Sequence, residues 1–421
     1  MQSSIKLRLT VMNFLQFAVW GAYLTSMGRY LGTAGFGSEI GNFYAMQGLV
    51  SLFMPALMGI VADRWIPAQR LLGVCHTLAG MLMLGVFLYT QTDAPSYPSL
   101  FALYSLSVAF YMPTLALSNS VAYTSLDQAG LDLVKSFPPI RVFGTVGFIC
   151  TMIAVSLLGL EATSGQFAVS AIISLVLAVY AQTLPNCPTA PKGQSKSLVE
   201  ALGLRAFVLF KQRKMALFFI FSMLLGVSLQ ITNGFANPFI STFGEIPAYA
   251  DTFGVKYANI LISLSQLSET LCILLIPFAL RRFGIRRVML IAMVAWVLRF
   301  ALLGLGNPGS GVWLFLLSMI VYGVAFDFFN VSGSLFVDKE TDPSIRSSAQ
   351  GLFMIMTNGI GATLGSLGAQ AVINHFVSSQ TETTAVLAGW SMSWYIFAGY
   401  SAVVAVLFAL LFRYNTATEA K

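Results

Sequence analysis

Twelve apolar stretches, each long enough to cross a bilayer, fill almost the whole chain. Roughly 20 apolar residues span the hydrocarbon core as a helix. Helix is the form required there, because no water is present to satisfy backbone N–H and C=O groups. The predicted spans, numbered 1 to 12 below, cover 9–31, 40–62, 68–90, 98–122, 139–160, 166–184, 213–240, 257–280, 288–306, 311–337, 346–373 and 389–412. A membrane β-barrel would instead show alternating segments of about 10 residues. Of the 421 residues, 57% are hydrophobic and 9% charged; a soluble domain carries about 25% charged residues. The expected fold is therefore an all-α membrane protein, with no separate soluble domain.

The placement of charge sets a topology. Lys6, Arg8, Arg64, Arg70, Lys135, Arg281, Arg282, Arg286, Arg287, Arg346 and Arg413 fall on one side of the predicted spans, while Arg29 and Lys256 lie on the other. Basic residues collect in cytoplasmic loops, so both termini are expected in the cytoplasm. The even number of spans requires the same arrangement. This also explains the net charge of +7 without nucleic acid as a partner. The first apolar run continues past signal-peptide length and reads as a retained helix.

The longest polar connection runs from 185 to 212 and contains Pro185, Pro188, Pro191, Lys192 and Lys196. It divides the chain into an expected N-terminal six-helix bundle (1–184), a cytoplasmic linker (185–212) and a C-terminal six-helix bundle (213–421). Within the linker, Ala201–Phe210 reads as a short amphipathic helix on the membrane surface. Features also recur six spans apart. Ile140-Arg141 precedes Gly147-Phe148 in span 5, and Ile345-Arg346 precedes Gly351-Leu352-Phe353 in span 11. Two parallel repeats of this kind can move against each other and expose a central site to each side in turn.

Two spans carry a carboxylate near mid-length, Glu269 in span 8 and Asp327 in span 10. Ionisable groups at bilayer depth are expensive and mark function. Other polar and aromatic residues repeat at helical spacing, where positions three or four apart share a face. Arg141, Thr145 and Phe148 do so in span 5, Gln230 and Asn233 in span 7, Gln266 and Glu269 in span 8, and Tyr322, Phe326 and Asn330 in span 10. The amides also fit interhelical hydrogen bonding, and the aromatics fit ordinary packing. Arg141 stands near the start of its span, where it can reach the inner surface or join an inner gate. Arg299 in span 9 fits either a buried partner for a carboxylate or a snorkelling side chain. His76 and His375 lack metal-like company and are not assigned the proton. Cys75, Cys150, Cys187 and Cys272 form no CxxC pair, and no metal site or organic cofactor is expected.

The chain resembles the nucleoside:H⁺ symporter family of the major facilitator superfamily from Asn13 to about Arg413. The segments that carry the likeness are 54–63 (MPALMGIVAD), 137–148 (FPPIRVFGTVGF), 229–233 (LQITN), 265–270 (SQLSET) and 322–330 (YGVAFDFFN). The resemblance implies uptake of nucleosides with protons across the bacterial inner membrane by alternating access. It implies a substrate site lined by Arg141, Thr145, Phe148, Gln230, Asn233, Gln266, Glu269, Tyr322 and Phe326, and a transport carboxylate at Asp327. It also marks Asp63 and Arg64 as part of a cytoplasmic gate.

A nucleoside suits this residue set. Its base offers a flat face to Phe148, Tyr322 and Phe326, and base–aromatic stacking contributes about 1–3 kcal/mol elsewhere. Its hydroxyls and base edge suit the donors and acceptors of Gln230, Asn233, Gln266 and Glu269. Uridine and adenosine are representative substrates, the proton is the coupling ion, and membrane lipid is the environment. No obligate protein partner is expected, so the chain reads as a monomer. The proton carrier is Asp327 or Glu269, with Asp327 turned about 100° along the helix from Phe326. Competing readings are a proton-coupled carrier of a sugar or other small polar solute, a drug exporter and a non-transporting membrane sensor. An enzyme is not expected, since the chain has no phosphate loop and no recognisable nucleophile or metal cluster.

Overall fold

The computed structural model describes residues 2–189, 204–342 and 345–414. Every predicted span is helical, and no strand occurs among the described residues. Spans 3, 4, 5 and 6 are the helices Ala68–Tyr89, Tyr97–Gln128, Leu133–Leu157 and Gly165–Ala181. Spans 10 and 12 are Val312–Glu340 and Thr383–Leu411.

Several spans are broken, and the breaks have local causes. Span 1 runs Gln2–Gly21, turns over 22–26 and resumes at Met27–Thr33. At this turn the Ser170 hydroxyl donates to the Val19 carbonyl, while the Tyr23 N–H bonds to the Trp20 carbonyl instead. Span 2 divides into Ile40–Ser51 and Met54–Arg64. Pro55 has no N–H to give to the Ser51 carbonyl, and it sits in the first turn of the second piece, where a proline is tolerated. Spans 8 and 9, Ala258–Cys272 and Ile276–Leu305, meet a reversal at Gly284 with φ 75° and ψ 163°. That conformation is essentially open only to glycine. Span 11 contains a π-helical stretch, Ile355–Gly361, between Arg346–Met354 and Ala362–Ile373. Span 5 begins before the predicted Pro139, because Pro138 and Pro139 are accommodated in its first two turns.

The chain forms two compact units, Met1–Tyr30 with Leu49–Leu202, and Leu31–Gly48 with Gly203–Lys421. The segment Leu31–Gly48, expected with the N-terminal bundle, thus groups with the second unit. Gly41 and Gly48 account for this, since their bare backbones lie against Gln370 and Thr363 of span 11. Residues 190–203 of the 185–212 linker lie outside the described residues, and with them the start of the expected Ala201–Phe210 helix. Leu204–Lys211 forms a short 3-10 helix whose Phe207 and Phe210 rings stack at 5.7 Å.

The same pairing pattern recurs in both units. Span 1 packs on span 5 and span 3 on spans 4 and 6; correspondingly, span 7 packs on span 11 and span 9 on spans 10 and 12. Glycines allow the closest crossings. Gly147 faces the Phe14 backbone and Gly21 the Phe148 backbone, while Gly226 faces Thr357 and Gly365 faces Val227. Small residues let membrane helices approach and pack through their backbones. The recurrence agrees with the sequence repeats.

Charges on the expected outer side are neutralised within each unit. Arg29 pairs with the buried Glu161 at 3.3 Å, and Lys256 pairs with Asp251 at 2.9 Å. Lys256 holds the Asp251 carboxyl below its ordinary value by hydrogen bonding and charge. Both side chains are exposed, so this pair matters little for stability.

A polar knot inside the first unit was not foreseen. His76 is 0% exposed; its Nε2 lies 2.8 Å from Gln16 Oε1 and its Nδ1 lies 2.9 Å from Ser174 Oγ. Gln16 Nε2 donates to Thr114 Oγ1 at 2.7 Å, so Gln16 Oε1 accepts and His76 carries hydrogen on Nε2. The knot ties spans 1, 3, 4 and 6 together. Replacing His76 by Leu strands the Gln16 carbonyl in an apolar interior. The expected loss is about 1–3 kcal/mol of stability, read as a lower unfolding temperature in detergent. The pH dependence of uptake should stay unchanged, and a collapsed pH profile would instead make His76 a proton carrier.

Candidate functional site

The span 5 strip belongs to the first unit. Arg141 and Thr145 are half-buried and Phe148 is buried. The Arg141 guanidinium lies over the Phe17 ring, 4.0 Å from its centroid, and Phe148 meets Trp20 edge-on at 6.4 Å. Trp20 in turn packs on Tyr111 at 6.1 Å. Arg141 and Phe148 therefore lie beside an aromatic wall from span 1. That wall comes from Phe17 and Trp20, themselves three positions apart. Sequence reasoning missed it because single aromatics in an apolar run look like any other packing residue.

The remaining predicted residues belong to the second unit. Gln230 joins the two helical pieces of span 7, Arg213–Leu229 and Ile231–Thr242. Asn233 Nδ2 donates to Gln230 Oε1 at 2.9 Å. This bond lies within one span, so here the two amides steady each other rather than tie helices together. The joint loosens the helix at the point where its side chains carry the polar groups.

Spans 8 and 10 cross most closely at Ser268 and Gly323. The Ser268 hydroxyl donates to the Ile320 carbonyl, and Gly323 presents bare backbone to Ser268 and Cys272. The crossing sets Gln266 and Glu269 beside Tyr322 and Asp327. The Tyr322 hydroxyl lies near the Gln266 side chain, and the Tyr322 ring stacks on Phe326 at 5.6 Å with 15° between planes. Glu269 interacts electrostatically with both Tyr322 and Asp327. Asp327 is 5% exposed, and among the described residues its Oδ2 has no hydrogen-bond partner. Asn330 turns its amide back to the Phe326 carbonyl at 3.0 Å and so completes the face.

Arg299 differs from both expectations. It is 2% exposed, so it does not reach the surface, and among the described residues it makes no ion pair. Nη1 donates to the Ser318 carbonyl at 2.8 Å and to Ser265 Oγ at 3.3 Å, and Nη2 donates to Thr232 Oγ1 at 3.2 Å. Its guanidinium carbon lies 4.5 Å from the Tyr322 ring centroid. Span 9 is buried at this point between spans 8 and 10, and the nearby oxygens are neutral.

Asp63 and Arg64 end the second piece of span 2. Asp63 is half-buried and makes no ion pair among the described residues, and Arg64 is exposed.

The second-unit cluster combines hydrogen-bonding amides, stacked rings and two neighbouring carboxylates. It can hold a flat polar solute and exchange a proton. Tyr322→Phe separates two contributions, since it keeps the ring stack and removes the hydroxyl beside Gln266. The expected result is a rise of roughly 2- to 10-fold in the KM of uptake, the effect of one lost hydrogen bond. An unchanged KM would place the hydroxyl outside the binding chemistry.

Comparison with known proteins adds independent findings. The sequence profile of the family described as Nucleoside H⁺ symporter matches residues 3–417. A xanthosine permease of Escherichia coli K12 is 49% identical over 415 residues, covering 98% of this chain and 97% of that protein. Nucleoside permease NupG of the same organism is 46% identical over 415 residues, with the same coverage. The crystal structure of nucleoside transporter NupG superposes with a TM-score of 0.88 at 46% identity, covering 98% of this chain and 100% of that one. A mutant of the same transporter gives a TM-score of 0.91, covering 97% and 100%.

Proposed function

Because the chain belongs to the nucleoside H⁺ symporter family, we propose that Gln266, Glu269, Tyr322, Phe326 and Asp327 are the working centre of its transport cycle. The chain is an all-α, multi-pass protein of the bacterial inner membrane with the major facilitator fold. It is a proton-coupled nucleoside transporter, not an enzyme. In our reading Gln230, Asn233, Gln266, Glu269, Tyr322 and Phe326 bind the nucleoside, with Arg141, Thr145 and Phe148 contributing from the first unit. Uridine and adenosine are the representative substrates.

The observation that carries this reading is the placement of Asp327. A buried carboxylate oxygen without a partner, next to a second carboxylate, is an arrangement that a proton relieves. Stable membrane proteins rarely keep an uncompensated acid without a use for it. Asp327 therefore carries the coupling proton, and Glu269 serves both proton and nucleoside. Protonation removes the repulsion, the substrate binds, and alternating access delivers both to the other side. Asp63 and Arg64 act at the inner gate. The bundles 1–184 and 213–421 are the moving halves, the 185–212 linker and both termini are cytoplasmic, and the monomer is the working form.

The test is uptake of labelled uridine into proteoliposomes under an imposed pH gradient in sodium-free buffer. Uridine and adenosine should compete with the label, and glucose and lactose should not. Competition by a sugar alone would replace the nucleoside assignment of these residues, and dependence on sodium would remove the proton role of the carboxylates.

A further inference from the structure

Spans 9 and 10 enclose a groove of about 590 Å³ in the second unit, apart from the carboxylate cluster. Its wall on span 10 is Val321 and Val324. These stand one and two positions from Tyr322 and Phe326 and so on another face of the helix. Its wall on span 9 carries Leu290, Val294 and Leu298, spaced four apart. Val294 and Leu298 are 46% and 49% exposed, so the protein covers only about half of each. Phe283 and Arg287 stand at one end, and every lining residue other than Arg287 is apolar. From Arg287 to Leu298 the helix rises about 16 Å, close to half of the ~30 Å hydrocarbon core. The groove thus has the depth of one leaflet, with a cation at its mouth.

The charge at that mouth is unbalanced. The reversal at Gly284 gathers Arg281, Arg282, Arg286 and Arg287 at this end. Two of the four are committed within the protein. Arg281 Nε donates to the Pro277 carbonyl at 3.2 Å, and Arg286 donates to the Phe412 and Ala409 carbonyls at 2.6 and 2.7 Å. Arg282 and Arg287 are exposed and make no ion pair among the described residues. No Asp or Glu occurs between Glu269 and Asp327, so neither the loop nor the groove walls supply a countercharge. The acids at the same end of span 10 are taken, Asp338 by Arg346 at 3.1 Å and Glu340 by Lys214.

We propose that this groove binds an anionic phospholipid, with its phosphate on the guanidiniums of Arg287 and Arg282 and one acyl chain between spans 9 and 10. A guanidinium fork meets phosphate oxygens with two parallel hydrogen bonds. The apolar walls below the arginines select for a chain, which a free phosphate compound lacks. The two uncompensated cations select for net negative charge, which a zwitterionic headgroup lacks. In the topology proposed above, the lipid belongs to the cytoplasmic leaflet.

The test is lipid retention by the full chain in detergent, counted by native mass spectrometry after addition of dioleoylphosphatidylglycerol or dioleoylphosphatidylcholine. The parent should retain phosphatidylglycerol in preference. A basic residue at a membrane surface changes anionic-lipid binding about fivefold, so Arg282→Gln with Arg287→Gln should weaken retention about 30-fold. Lys211→Gln with Arg213→Gln removes the same charge at exposed positions that do not line the groove, and should leave retention within about twofold. Val294→Phe fills the groove and keeps both arginines. It should weaken retention on the order of tenfold, the scale of two methylenes kept out of an apolar site. Glycerol 3-phosphate should not displace the lipid from the parent. Equal weakening by the two charge pairs would mean attraction to net charge alone and overturns the site. Displacement by glycerol 3-phosphate, or retention by Val294→Phe equal to the parent's, overturns the seat for the chain. The arginine and lysine positions are exposed, so those two variants decide even if Val294→Phe does not fold.

Discussion

Asp327→Asn should abolish accumulation of nucleoside against its gradient while leaving exchange of labelled for unlabelled nucleoside within about threefold of the parent rate. A pH difference of one unit supports about a tenfold concentration ratio when one proton moves with each solute. In the variant that ratio should fall to one. The amide has nearly the shape of the carboxyl group, so packing at this buried position survives. It cannot accept or release a proton, so the nucleoside moves only downhill. Loss of both accumulation and exchange would show a binding or folding role instead, and unimpaired accumulation would remove Asp327 from coupling.

The second large effect is expected from Gly323→Val. A Cβ at this position would lie 2.5 Å from the Ser268 oxygen, 2.6 Å from its carbonyl carbon and 2.7 Å from Cys272 Sγ. The first two are backbone atoms and cannot swing aside. Spans 8 and 10 must separate, which breaks the bond from Ser268 to Ile320 and moves Glu269 away from Tyr322 and Asp327. Displacing reacting groups by about 1 Å costs on the order of 100-fold in rate, and overpacking destabilises by about 1–3 kcal/mol. Uptake should therefore drop at least ~100-fold, with a lower unfolding temperature in detergent. Gly399→Ala is the control, because nothing lies within 4 Å of its added carbon. Full activity in Gly323→Val would contradict the close crossing as the device that builds the site.

Much of this molecule was legible in its sequence because the bilayer allows so few solutions. The spans follow from apolar length, and the strips at Gln266/Glu269 and Tyr322/Phe326 follow from helical spacing. The breaks in spans 1 and 7 were not legible. Both occur where a side chain takes over a backbone role or a single residue relaxes its geometry, as at Val19 with Ser170, and hydropathy does not register that. The partners of Arg299 were not legible for a related reason. Ser265, Ser318 and Thr232 are common small residues, and only their convergence on one guanidinium gives them meaning. His76 was not assigned the proton, and its knot with Gln16 and Ser174 was not legible because it depends on four spans meeting. The place of Leu31–Gly48 depended on Gly41 and Gly48 approaching span 11, a contact between segments more than 300 residues apart.

The central claim is that the carboxylate cluster moves the proton with the solute. Proton flux in proteoliposomes tests it most directly, with a pH dye in the lumen, potassium and valinomycin to remove the membrane potential, and uridine added outside without a pH gradient. The parent protein should acidify the lumen in step with uridine entry, and Asp327→Asn should admit uridine with no acidification. Equal acidification by the parent, Asp327→Asn and Glu269→Gln would contradict the account.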